Sequence, residues 1–405
     1  MMLQNVSSNV LFLQGPLGGF FARLARFLSC NGMVTYKINF NGGDRLYAYA
    51  DQLDDFVGKP EEWSRYLESY LRDYDISQVF MYGDCRMYHR VAIEVANQLS
   101  VKIWVFEEGY LRPDYISLEA DNVNAASRLP RAPSTILNDG SSKPQRDSSV
   151  GQTFFHKAFF ALSYYFIFFL RQAQYPYYQH HRSGTQWFEL CCWARSCYRK
   201  VKAYLFHRRK VAGFAEQHKN NFYFVPLQVH NDSQIHHHSK YQSNESFIEE
   251  VLVSFAACAP RDSAIVIKHH PMDRGFTHYA NYIEDLIKEL NLKKRVMYCH
   301  DAHLPTLLRQ AKGTVTINST VGLSSVIHLT PTKVMGQAIY DIEGLTSQLS
   351  LDEFWHSRCA VSETLMRKFY CYLRNKTQIN GSFYKNVTGC FEEIYRLISP
   401  SSKEK

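Results

Sequence analysis

Two patterns alternate along the first hundred residues. Short apolar runs predict strands: VLFLQG (10–15), MVTYKINF (33–40), QVFMYG (78–83) and KIWVFEEG (102–109). Between them, GGFFARLARFLSCNG (18–32), WSRYLESYLRDY (63–74) and MYHRVAIEVANQLS (87–100) space apolar residues three and four apart, which predicts amphipathic helices. Short strands separated by helices of about 10–15 residues indicate βαβ units and a parallel sheet. The same alternation resumes further on. NFYFVPLQV (221–229), SAIVIKHHP (263–271), RVMYC (295–299), GTVTIN (313–318) and TKVMG (332–336) predict strands, each followed or preceded by a helical pattern.

The chain between these regions differs in composition. Residues 131–153 form a polar loop rich in Ser, Pro, Gly and Asp, and residues 154–210 are aromatic and basic. From about 352 the tail predicts two or three helices. The expected fold class is α/β: two Rossmann-like αβα domains facing a cleft, the GT-B-like layout of a glycosyltransferase, with a helical insert and a helical C-terminal tail. The expected domains are 1–150 on the acceptor side, 151–215 as the insert, 216–348 for the donor, and 349–405 as helices crossing back. In open α/β sheets the ligand lies beyond the carboxyl ends of the strands.

Charge narrows the class of partner. The chain has 405 residues, a formal net charge of +8 and a pI near 8.8, which favours an anionic ligand or surface. Its ten cysteines form no CxxC pair, so a reduced, cytoplasmic setting is expected rather than a disulfide or zinc framework. The N-terminus lacks the basic start and apolar core of a secretory signal. The longest uncharged apolar run, AFFALSYYFIFFL (158–170), falls short of the ~20 residues a membrane span needs.

The predicted strand ends carry the candidate chemistry. KHHP places Lys268, His269, His270 and Pro271 after an apolar strand, and the proline fixes the turn. NSTVG (Asn318, Ser319, Thr320, Gly322) opens a helix whose first-turn N–H groups suit an anion. GDCR offers Asp84 and Arg86, and FEEGYLRP offers Glu107, Glu108 and Arg112. Adjacent residues on a strand point to opposite faces, so only one of the two glutamates should face the ligand. A desolvated carboxylate there can serve as base or nucleophile. The turn QGPLGGFF (Gly15, Gly18) is a close-approach turn and NFNGGDR (Asn41, Asp44) a second glycine turn with charged exits, both assigned to the acceptor. HHH at 236–238 is not expected to bind metal, because consecutive residues of a regular element cannot all face one ion.

Taken in order, LFLQGPLGGFF, YKINFNGGDR, GDCRMYHR, FEEGYLRPDYISLE, VNAASRLP, PLQVHNDSQI, KHHPMDRG and INSTVGLSS resemble the bacterial capsule polysaccharide biosynthesis and export proteins that act on the sugar acid Kdo. The stretches cover most of the chain outside the polar loop, the insert and the tail. The resemblance implies a retaining β-Kdo transferase that uses CMP-Kdo and no cofactor. The single copy of each motif resembles the single-module enzyme that places the first Kdo on a phosphatidylglycerol-type lipid, with a longer dual-module transferase and the capsule export complex as partners. It implies that His270, Lys268, His269, Pro271, Ser319, Thr320, Asn318, Gly322 and Gln228 hold the cytidine monophosphate, and that Arg86 or Arg112 meets the carboxylate of Kdo. Related Kdo transferases carry a Glu-Asp-Gly element whose acid is proposed as nucleophile. Here Glu107-Glu108-Gly109 stands in its place, so Glu108 takes that role with one extra methylene, and Asp84 is the alternate.

The insert supports a lipid acceptor on composition alone. Aromatic and basic residues together favour lying on an anionic leaflet, here the inner face of the inner membrane. Three rivals differ in what they need. A non-catalytic export component binding lipid-linked polysaccharide has no use for both KHHP and NSTVG. A nucleotide-sugar epimerase has no use for the insert. A nucleic-acid binder would show a recognition motif, and the chain has none.

Overall fold

The computed structural model describes residues 8–140, 147–180, 186–204, 208–357, 359–385 and 387–399. Its strands, in chain order, are β1 (Asn9–Phe12), β2 (Val34–Asn39), β3 (Gln52–Asp55), β4 (Ile76–Tyr82), β5 (Lys102–Glu108), β6 (Tyr115–Ala120), β7 (Phe222–Pro226), β8 (Ala264–Lys268), β9 (Val296–Cys299), β10 (Gly313–Thr316), β11 (Thr332–Val334) and β12 (Gln378–Asn380). They build two sheets, ordered β12-β6-β5-β4-β1-β2-β3 and β11-β10-β7-β8-β9. The second sheet is parallel throughout. The first is parallel from β3 to β5, then β6 and β12 add antiparallel pairs. The fold class is therefore α/β with two Rossmann-like sheets, a helical insert and tail helices.

In the first sheet the alternation of β5 decides which face each residue serves. Ile103 and Val105 join one core with Trp63, Leu67, Ala92 and Val95. Trp104 and Phe106 join the other with Phe20, Leu24, Phe391 and Ile394. The period of two continues into the strand end, so Glu107 and Glu108 leave on opposite faces. The second core also shows what the tail does. Helix Phe391–Ile398 and strand β12 return to the first sheet, and Phe383 packs edge-on to Phe20.

The chain divides into two compact units: 1–128, 143–181 and 373–405 in one, 129–142 and 182–372 in the other. These bounds differ from the sequence expectation in three places. Residues 129–142 join the second unit, where Lys368 donates to the Asp139 carbonyl at 3.4 Å. The tail divides at 373, and Arg374 pairs with Asp147 at 2.9 Å inside the first unit. The insert is not one body. Its aromatic helix Phe154–Leu170 belongs to the first unit, and the basic helix Gln186–Lys202 to the second. Among the described residues no helix is long and apolar enough to cross a membrane.

Candidate active site

In the first unit the ends of β4 and β5 bring four charged groups together. Glu108 Oε1 accepts from Lys157 Nζ at 2.9 Å and from the Tyr384 hydroxyl at 3.1 Å. Among the described residues no donor is bonded to Oε2. Both hydrogen bonds thus anchor the same oxygen. Burial raises the pKa of Glu108, but the charges of Lys157 and Arg112 and the two hydrogen bonds outweigh it, so the group is held below its ordinary range. Glu107 behaves oppositely. Burial pushes it up, against a hydrogen bond from the Glu108 N–H. Arg86 lies over the Tyr82 ring at 5.3 Å and draws Glu107 down, while Arg112 donates to the Gly109 carbonyl at 3.2 Å. Both predicted cations therefore stand beside the carboxylates.

Two other carboxylates have structural duties. Asp84 is 7% exposed and accepts from the Val123 N–H and the Cys85 thiol, both at 3.1 Å. It ties the strand-end turn to the loop at 123. Glu119 was not singled out by any motif. It is buried, accepts from the hydroxyls of Tyr110 and Ser127, and is pushed up to about 7 by burial. Both of its oxygens are occupied.

The four acceptor candidates are also occupied. Asn41 Oδ1 caps the short helix Gly42–Leu46 by accepting from the Asp44 N–H at 3.0 Å. Asp44 accepts from Gln14 at 3.0 Å, the Phe40 N–H at 3.1 Å and the Tyr164 hydroxyl at 3.0 Å. Gly15 lies under the Phe21 ring and Gly18 under the Phe160 ring. The close approach predicted at this turn is real, but side chains of the protein itself make it.

In the second unit β7 is central, and the registers place Lys268 beside Pro226. Gln228 links the two flanking loops: its Oε1 accepts from the Asn318 N–H at 3.1 Å, and its Nε2 donates to Asp232 at 3.0 Å. Asn318 donates to the Gln234 carbonyl at 2.9 Å. Gln228 thus shapes the site, while Asn318 keeps a buried Oδ1 with no hydrogen-bond partner among the described residues. Ser319 caps helix Thr320–Ile327 by accepting from the Val321 N–H at 3.2 Å, which leaves Thr320 at the helix start. Gly322 is a packing residue, because a Cβ there would lie 2.2 Å from the Tyr340 hydroxyl.

The two histidines after β8 have different fates. His269 is fully buried, hydrogen-bonded to the Tyr298 hydroxyl at 2.7 Å, and 4.6 Å from the His300 ring; burial lowers its pKa to about 4. It sits in the core, and its Nε2 has no hydrogen-bond partner among the described residues. His270 is half-buried, and its Nδ1 accepts from the Met272 N–H at 3.2 Å. The neutral ring then carries its proton on Nε2, as a donor. Pro271, exposed, starts the turn that follows. Lys268 is drawn below its ordinary range first by burial and then by Arg274, with Cys299 and Asp301 opposing. No acceptor among the described residues is hydrogen-bonded to its ammonium. A desolvated cation at a strand end is a place for an anion.

Sequence reasoning missed a pair that joins this turn to the loop after β7. His230 Nδ1 meets Asp273 Oδ1 at 2.5 Å, Asp273 is fully buried and also accepts from Thr277 at 2.6 Å, and the His230 ring stacks on Phe276. The strings HNDSQI and PMDRG held both residues, but only the fold joins them. The basic helix covers this turn: Arg199 donates to the carbonyls of Arg274 and Thr277, and Arg195 to that of Gly275. Two of the basic residues assigned to a lipid surface thus bond the chain's own backbone. Among the described residues no three His, Cys, Asp or Glu side chains group as a metal site.

Residues 77–384 match the family described as capsule polysaccharide biosynthesis protein. The chain belongs to the capsule polysaccharide biosynthesis family. Among curated proteins, the capsule polysaccharide export protein KpsS of Escherichia coli is 40% identical over 92% of this chain and 96% of that one. The capsule polysaccharide modification protein LipB of Neisseria meningitidis serogroup B is 42% identical, over 95% and 94%. Among solved structures, KpsC of Thermosulfurimonas dismutans, a beta Kdo 2,7 transferase, aligns over 97% of this chain and 100% of its own with 13% identity and a TM-score of 0.45.

Proposed function

We propose that this capsule protein is a retaining glycosyltransferase that moves one β-Kdo from CMP-Kdo to a phosphatidylglycerol-type lipid. The observation that carries the reading is Glu108: ionised, anchored through Oε1, with Oε2 unbonded among the described residues. In the first step Oε2 attacks the anomeric carbon of Kdo, the bond to the phosphate oxygen breaks, and CMP leaves with the electron pair. In the second, the lipid hydroxyl displaces Glu108 and gives its proton to a base. Two inversions give retention. Arg86 and Arg112 supply the cations that the Kdo carboxylate needs. The cytidine monophosphate is assigned to Lys268, His270 and the Ser319–Thr320 helix start of the second unit. The reaction is proposed without a metal or cofactor. Further Kdo residues would come from a longer partner transferase. The test is a mass spectrum after incubation with fresh CMP-Kdo and lyso-phosphatidylglycerol. A lipid heavier by one Kdo unit is expected. Several added units would reassign the step, and no product together with no CMP binding would favour a non-catalytic export component.

The protein is proposed to work on the inner face of the inner membrane. The aromatic helix exposes Phe155, Phe159, Leu162, Phe166 and Phe169. Their spacing of three to four residues places them along one stripe. The helix contains no acidic residue. Fully burying a Phe contributes roughly 1.5–3 kcal/mol. Phe159→Ser with Phe166→Ser should therefore lower co-sedimentation with anionic vesicles at least about tenfold. Unchanged binding would remove this helix as the attachment.

A further inference from the structure

The two glycine turns of the first unit share one neighbour. The aromatic helix lies across both of them. A Cβ on Gly18 would fall 2.8 Å from the Phe160 ring, one on Gly43 2.7 Å from the Tyr164 ring, and one on Gly42 2.9 Å from the Ile167 carbonyl oxygen. All three distances are inside van der Waals contact, so only glycine permits the approach. Hydrogen bonds fix the same seat. Tyr164 donates to Asp44 at 3.0 Å, and the hydroxyls of Tyr47 and Ser163 meet at 2.5 Å. Seated in this way, the first turn of the helix delivers Lys157 to Glu108 at 2.9 Å, with its ammonium 5.1 Å from the centre of the Tyr384 ring.

We propose that Lys157 is a positioning residue for Glu108, and that the glycines at 18, 42 and 43 seat the helix that carries it. The inference rests on the role proposed for Glu108 and adds the element that holds it. Lys157 and Tyr384 both bond Oε1, so together they fix which oxygen faces the reacting carbon. The remaining groups around Glu108 are Glu107 on its own strand, Tyr82 on β4 and Arg112 beyond β5. Burial and the Glu107 charge favour the neutral acid. Lys157 and Arg112 favour the carboxylate. Of the two cations only Lys157 is hydrogen-bonded to Glu108. Its loss leaves Arg112 acting through space, so the Glu108 pKa rises. The nucleophile must be ionised, and the acid limb of kcat/KM moves to higher pH with it.

The test uses the full chain labelled with carboxyl-carbon glutamate, with Glu108 assigned by its loss in Glu108→Gln. In Lys157→Met the Glu108 titration should move up by about one to two pH units. The acid limb of transfer should move with it, and Lys157→Arg should restore both. Gly43→Ala keeps Lys157 but crowds Tyr164, and should shift the titration the same way. A Lys157→Met midpoint equal to that of the wild type overturns the proposal. A wild-type midpoint in Gly43→Ala, with the helix still docked by exchange protection, overturns the seat. Circular dichroism checks folding, and Lys157→Gln replaces the Met variant if that variant does not fold. Should the wild type make no product, the function reading falls, while the titration still decides whether Lys157 holds Glu108.

Discussion

Glu108→Gln should lower kcat for Kdo transfer by at least ~10³-fold and leave CMP affinity near its wild-type value. The amide keeps the shape of the side chain and still accepts from Lys157 and Tyr384 through its oxygen, so the fold around it should hold. What it loses is the charge on the free oxygen, and with it the attack on the anomeric carbon. Intact mass spectrometry gives a second readout: the wild type, given CMP-Kdo without acceptor, should carry one Kdo unit, and the variant none. Asp84→Asn is the contrasting case. That side chain accepts from the Val123 N–H in a buried turn, so its change should cost about 1–2 kcal/mol of stability and leave the chemistry in place. A Glu108→Gln enzyme with wild-type kcat, beside an inactive but folded Asp84→Asn, would reverse the two roles.

The sequence pattern reached the layout of this protein more readily than its site. Long parallel strands such as β4, with Val79, Phe80 and Met81 fully buried, read as apolar runs because helices cover both faces. Three strands escaped. β3 (QLDD) is polar, β6 follows a turn that looked like a loop, and β12 has three residues. Glu108, Lys268 and His270 stand at or just beyond the strand ends where the pattern placed them. Which way each member of a neighbouring pair turns was a matter of facing. Strand alternation separates Glu107 from Glu108 and His269 from His270, but only the packed helices on each side say which face is which. Lys157, Tyr384 and the His230–Asp273 pair were invisible for another reason. Lys157 and Tyr384 lie 49 and 276 positions from Glu108, and Asp273 lies 43 from His230. No local spacing encodes such contacts. At Gly18 and Gly43 the side chains that approach come from an aromatic helix more than a hundred positions away, which no local pattern announces.

Lys268→Met should weaken CMP binding by roughly 30–150-fold, the loss of one charge-assisted contact worth about 2–3 kcal/mol. The same variant should melt at or above the wild-type temperature. This opposite sign is the useful part. Burial already draws the Lys268 ammonium below its ordinary range, and no acceptor among the described residues is hydrogen-bonded to it. A desolvated cation costs free energy until an anion arrives, and a methionine of similar length removes that cost. Calorimetry with CMP at low and high salt, set beside a thermal melt, reads both signs. His270→Asn should lose less affinity, because a neutral imidazole contributes a hydrogen bond and no full charge. If Lys268→Met binds CMP as the wild type does and melts lower, the lysine is a structural cation serving Asp301 and the end of β9. The nucleotide would then have to be held elsewhere than at the end of β8.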